Sequence, residues 1–173
     1  MHDLGLAAWF GGTLANAVSL NAAAAEATGP TDTGRVANVG WDRWTPVNAA
    51  AIGMHVLGSL AQLGGNARRV NAQEGVAQMV VLKTAVTAAA LGATAYSRML
   101  GAKVSQQTDV PAESGTEPAA ATPPDVAAAQ RQLAMLQWAV PALTGALVVI
   151  SSFAGEQQRA SEVHKGFARR LLA

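Results

Sequence analysis

Lys83 is the only formally charged side chain in the run VVLKTAVTAAALGATAY, residues 80–96, among small, apolar and hydroxyl groups. An ammonium in such surroundings can stretch its stem back toward polar head groups. Alternatively it can pair with a buried partner, or face a bundle interior as a counter-ion or substrate contact. It lies seven residues into its helix, about 10 Å below the helix start at 1.5 Å per residue. Depth then selects Asp3, Gln62 and the Ser151/Ser152 pair as possible partners. No acidic residue stands at mid-depth in the apolar runs, which lowers the case for a proton relay.

His55, in AAIGMHVLGSL, falls near the middle of another apolar run. It can hydrogen-bond to Asn16 or a nearby hydroxyl, or serve as an axial haem ligand. A bis-histidine site needs a second ring at matching depth, and His2 and His164 are expected at or beyond the surface. His55 is therefore the one weak candidate for cofactor binding, and no cofactor or metal is assigned. Asn16, Asn21 and Gln137 read as interhelical glue, each bond worth about 0.6 to 2 kcal/mol. Pro141 has no N–H to return to the Gln137 carbonyl, so a bend is expected there.

The elements that carry these groups are four apolar stretches of about 20 residues, the length a helix needs to cross a hydrocarbon layer of about 30 Å. They are rich in Ala and Leu, lack strict alternation and far exceed the usual strand of about 5–6 residues, so helices are predicted. The expected fold is all-α, an integral membrane four-helix bundle running up-down-up-down. Its helices are placed at about 4–26, 46–65, 75–98 and 125–156 in a single domain over residues 1–173. MHDLG has no Lys or Arg before its apolar run, so the first run reads as an uncleaved helix and not a secretory signal. Thr45 followed by Pro46 reads as an N-cap with proline in the first turn of helix two. The short connection GGNARRVNAQEG makes helices two and three antiparallel neighbours. Residues 101–124, rich in Pro, Ala and acidic side chains with no apolar period, read as a flexible loop, and 157–173 as an amphipathic tail on an anionic lipid surface. Trp41, Trp44 and Trp138 fall on one side as interfacial anchors, with Trp9 nearer the other. Small residues at Ala8/Gly12, Ala49/Gly53, Ala85/Ala89 and Ala88/Gly92 permit close helix approach.

Composition supports the same frame. Of 173 residues, 50% are hydrophobic and 13% charged, about half the charged share of a soluble domain. A net charge of +1 and the lack of a basic block interleaved with aromatics argue against nucleic acid as a partner. With no cysteine there is no disulfide, thiolate nucleophile or sulfur-ligated metal. Nor do the residues offer a phosphate loop, a Ser/His/Asp grouping or a zinc-binding HExxH. Arg68, Arg69, Arg159, Lys165, Arg169 and Arg170 narrowly outnumber Arg35, Arg43, Arg98, Lys103 and Arg131, which favours cytoplasmic termini.

HDLGLAAWFGGTL resembles the first-helix pattern of copper-resistance-D-like and TMEM205-like membrane families, although the methionine or histidine pairs that would support metal handling are missing. WTPVNAAAIG, KTAVTAAALGATAYSR and TPPDVAAAQRQL resemble uncharacterised four-helix membrane proteins of high-GC actinobacteria. Neither resemblance implies an activity. The expectation is a non-catalytic component of the cell membrane whose partners are the lipid bilayer and a larger complex or a second copy. The rival readings are a small-molecule or ion transporter with Lys83 and His55 lining a cavity, and a haem- or quinone-binding protein.

Overall fold

The structure, a computed structural model, describes residues 1–156 except Glu74 and Thr108, together with Arg159 and Val163. The chain is all-α. The helices are α1 (His2–Ala15), α2 (Asn21–Ala25), α3 (Pro30–Gly65), α4 (Ala67–Ala72), α5 (Val76–Ser105) and α6 (Pro124–Glu156), with a π-helical segment at Asn16–Leu20 joining α1 to α2. Outside the helices, the described residues form one isolated antiparallel bridge, Ala112 with Pro118. The amphipathic tail predicted at 157–173 lies, but for Arg159 and Val163, outside the described residues.

Helix α1 buries His2, Gly5, Leu6, Trp9 and Thr13, one stripe at helical spacing. That stripe runs antiparallel along α3: Gly5 lies against Ala51 and His55, Gly12 against Trp44, and Gly40 of α3 against Leu20. Antiparallel pairing also joins α5 to α6, where Tyr96 donates to Gln132 and Lys103 pairs with Asp125. Phe10 sits over Gly145, which brings α1 onto α6. The alternating course expected of the four long rods is thus visible in their register. Leu6, Trp9, Ala51, Ala90 and Leu147, one or two from each rod, form the main core cluster.

Three expectations about the connections are corrected. Helix α3 starts at Pro30, not at Pro46, and runs for 36 residues, about 54 Å. Gly29 and Pro30 supply the real start, with Pro at N1 and Asp32 in the first turn. Pro46 lies inside the helix, where its ring normally costs about 3 kcal/mol. Packing overrides that local signal, because the turns before Pro46 are held by α1 and α2 through Trp41, Trp44 and Gly40.

The segment predicted as a flexible loop makes specific contacts through its described residues. Its first residues extend α5 to Ser105, and the remainder folds back on itself. Glu113 N donates to Glu117 O at 2.9 Å and Thr122 Oγ1 to Pro111 O at 2.6 Å. Ala112 N reaches the Pro30 carbonyl at 3.0 Å, and Ala112, Thr116 and Thr122 are buried. The segment thus forms a cap over the α3 N-terminal half.

Helices α3 and α5 are antiparallel, but they are not close neighbours. Each packs on another rod, α3 on α1 and α5 on α6, and they meet only sparsely. Their short connection contains α4 and the left-handed turn at Gly75 (φ 80°), which spreads the two rods apart. The small residues expected to seat close contacts do so only in part. A Cβ on Gly53 or Gly92 would meet open space, whereas Gly5, Gly12 and Gly58 sit hard against neighbours.

Candidate functional site

At one end of the α1–α3 crossing, the His2 and His55 rings lie with centroids 4.5 Å apart and tilted by 43°, and Trp9 stands 6.0 Å from His55. Backbone proximity enforces this pairing. Gly58, one turn past His55, lets the His2 main chain approach so closely that a Cβ there would fall 2.6 Å from His2 N. His55 is fully enclosed and His2 is 4% exposed. His2 Nδ1 donates to Asp3 Oδ1 at 2.6 Å, which leaves its Nε2 as a lone-pair acceptor. Among the described residues that Nε2 and both nitrogens of His55 meet no hydrogen-bond partner in good geometry, although the His2 backbone lies beside the His55 ring. Buried imidazoles of this kind can hold an internal water or share a proton.

The expectation that His2 lies out of reach of His55 is corrected. Helix α3 outruns α1, so the start of α1 docks beside the interior of α3 and not beside its end. A bis-histidine haem gains nothing from this. Two rings on opposite faces of one metal hold their ligating nitrogens about 4 Å apart, two bonds of about 2 Å, with the centroids farther still. At 4.5 Å and 43° no porphyrin fits between the rings. Among the described residues no three His, Cys, Asp or Glu side chains gather as a metal site.

Lys83 lines a cleft of about 340 Å³ between α3 and α5. Its Nζ donates to Gln62 Oε1 at 3.4 Å, and its carbonyl accepts from Thr87 Oγ1 at 2.8 Å. Of the partners expected from depth, Gln62 is thus in contact and Asp3 lies within electrostatic range. Ser152 turns instead to Val148 O, and the buried Ser151 hydroxyl has no partner. His55 lines neither this cleft nor the second one, so Lys83 and His55 do not share either cavity.

A second cleft, about 310 Å³, lies between α3 and α5 at the capped end. Beside it Asn21 Nδ2 donates to Gln137 Oε1 at 2.7 Å, Trp41 Nε1 to Asn21 Oδ1 at 3.0 Å, and Gln137 Nε2 to Thr116 Oγ1 at 3.1 Å. The Gln137 amide of α6 therefore ties α2 to the cap, and Asn21 of α2 carries the link on to α3. Asn16 Nδ2, Trp44 Nε1 and Asn48 Oδ1 are buried without partners among the described residues. Trp41 and Trp44 face this interior, half-buried, while Trp138 points outward and is 52% exposed. Trp9, placed by the sequence near a membrane face, is fully buried and donates to Thr94 Oγ1 at 3.2 Å.

Sequence reading missed Asn48, Thr94 and Thr116. Asn48 sits four residues after Trp44 on the same face, a spacing that could have flagged it; no local pattern marks Thr94 or Thr116. Comparison with known protein families, curated proteins and solved structures gives no match.

Proposed function

We propose that this chain is a multi-pass integral membrane protein, crossing the bilayer four times with both termini in the cytoplasm, and that it acts as a non-catalytic component of a membrane assembly. The observation that carries the reading is the exposure of its most apolar surface. Helices α5 and α6 are each long and apolar enough to span, with mean hydropathy 1.6 and 1.9 over their richest 18-residue windows, yet only 11% and 22% of those windows are buried within the chain. Val81, Leu57, Leu60 and Phe153 are all more than 60% exposed. Water would penalise each such side chain by about 1.5–3 kcal/mol relative to burial, whereas acyl chains would not. Helix α1 with its continuation to Ala25 and the Pro46–Gly65 part of α3 supply the other two spans, shielded in part by their mutual packing.

The internal polar groups support a structural role. Asn21, Gln137, Trp41, Thr116, Trp9 and Thr94 spend their hydrogen bonds on one another. The two clefts between α3 and α5 leave room for lipid or for a partner helix.

The test is membrane fractionation followed by accessibility mapping. The chain has no cysteine, so single cysteines at the helix ends report without background. Retention in the membrane pellet after alkaline carbonate, with alternating labelling along the four rods, is the expected result. Recovery in the high-speed supernatant without detergent overturns the proposal.

A further inference from the structure

We infer that the cleft beside Lys83 holds an anionic phospholipid of the surrounding leaflet, with its acyl chain along the apolar walls and its headgroup at the ammonium. This inference rests on the membrane reading and names the ligand class of one of the clefts that the reading leaves open.

The walls come from α3 and α5: Val56 and Leu60 on one side, Val80, Ala88 and Leu91 on the other, with Ala154 of α6 also reaching the cleft. A volume of about 340 Å³ lies within the range of small-molecule sites, about 300–1,000 Å³. Among the described residues no Asp or Glu lines it. Among the described residues no carboxylate lies within ion-pair distance of Lys83. Its ammonium makes a long contact, 3.4 Å, to the neutral Gln62 amide.

A cation next to hydrocarbon is costly until an anion pairs with it, and an ammonium–phosphate contact is stronger than a neutral hydrogen bond. Depth favours a phospholipid over a buried metabolite. Gln62 is three residues from the end of α3, so the contact draws the ammonium toward the headgroup level. Asn66 and Arg69 stand at the same rim, on the connection beyond the helix end. Arg69 already donates to Gln73 and Asn66, so Lys83 is the cation offered to a ligand. The cleft therefore passes from a polar mouth into an apolar trough, the polarity order of a lipid entering from its own leaflet.

The experiment is native mass spectrometry of protein purified in mild detergent, with thermal unfolding during titration by dioleoyl-phosphatidylglycerol, dioleoyl-phosphatidylcholine or oleate. Wild type is expected to retain phosphatidylglycerol and to unfold at higher temperature as it is added, with little response to phosphatidylcholine. Lys83→Gln is expected to weaken phosphatidylglycerol retention roughly tenfold, the scale of one charged hydrogen bond. Lys83→Arg should preserve it. Ala88→Trp, which fills the trough without changing charge, should abolish it. Equal retention of phosphatidylglycerol by wild type and a folded Lys83→Gln protein overturns the inference, as does equal binding of the two phospholipids or a preference for oleate. None of these results touches the membrane reading, which fails only if the chain leaves the membrane fraction.

Discussion

His2 and His55 pack ring against ring at 4.5 Å, which fixes the start of α1 to the interior of α3. Because neither His55 nitrogen has a well-formed hydrogen bond among the described residues, with only the His2 backbone beside the ring, its polarity opposes folding while its volume favours it. His55→Leu keeps the volume and removes the unsatisfied atoms, so it should leave the melting temperature in detergent unchanged or raised. His55→Ala leaves a cavity and should lose about 2–4 kcal/mol. If His55→Leu is as destabilising as His55→Ala, the nitrogens are satisfied by something that the side-chain geometry does not reveal, such as an enclosed water.

Glycine position, and not glycine frequency, sets the α1–α3 approach. A methyl on Gly5 would lie 2.6 Å from the backbone nitrogen of His55, and one on Gly58 2.7 Å from His2 Cα; main chain cannot swing aside as a flexible side chain can. Gly5→Ala and Gly58→Ala should each cost about 1–3 kcal/mol. Gly53→Ala and Gly92→Ala, which meet open space, should stabilise by about 0.5–1 kcal/mol through improved helix propensity. Melting temperatures of the four variants in one detergent decide this, and equal losses at all four positions would contradict the crossing geometry.

The cap depends on Gln137. Gln137→Ala removes its bonds to both Asn21 and Thr116, and Thr116→Ala removes one of them. Each interhelical bond of this kind in a membrane protein averages about 0.6 kcal/mol, with a maximum near 1.7. Both variants should speed cleavage by a glutamate-specific protease at Glu113 and Glu117, more so for Gln137→Ala. The double variant should show less than the sum of the two, because the groups share one network. Unchanged cleavage would mean that the cap is held by its own turns alone.

Trp9 and Trp138 differ most sharply in exposure, 0% against 52%. In brominated phosphatidylcholine bilayers, a variant keeping only Trp138 should lose most of its fluorescence, and one keeping only Trp9 little. Strong quenching of Trp9 would mean that the core cluster opens to lipid.

Asp125 offers a pH readout at the junction of α5, the cap and α6. The Lys103 ammonium, 3.3 Å away, holds its carboxyl below the usual carboxylate range, helped by the α6 N-terminal amides. A depressed folded value means that the pair contributes fully above the unfolded value of roughly 3.9 and is lost as the pH falls through the lower folded one. Both partners are about half exposed, so salt should weaken the contribution further. The stability difference between wild type and Asp125→Asn should therefore be small at pH 7 and shrink as the pH falls below the usual carboxylate range. A difference that persists in acid assigns Asp125 a role other than pairing with Lys103.

Helical class and the alternating course of the rods were legible because long Ala- and Leu-rich runs fix their period locally. The start of α3 was not, since Gly29–Pro30 and Thr45–Pro46 both resemble starts and only contacts from α1 and α2 decide between them. The same limit applies to the cap: Ala112 and Thr116 carry no periodic signal, and their burial arises from Pro30 and Gln137, residues far away in the chain. For Lys83, depth offers Asp3, Gln62 and the Ser151/Ser152 pair, and Gln62 is the one in contact. For His55, depth misled, because equal helix lengths were assumed and α1 is much shorter than α3.

That inequality shapes the ends of the molecule. On the proposed four-span reading, a rod of about 54 Å crossing a hydrocarbon layer of about 30 Å would leave roughly 24 Å of α3 beyond it. On that reading the face opposite the termini would be a raised ledge of folded polypeptide, α3 buttressed by the described residues of the 106–123 strap, among them Ala112. Any soluble factor approaching from that side touches protein before it touches lipid.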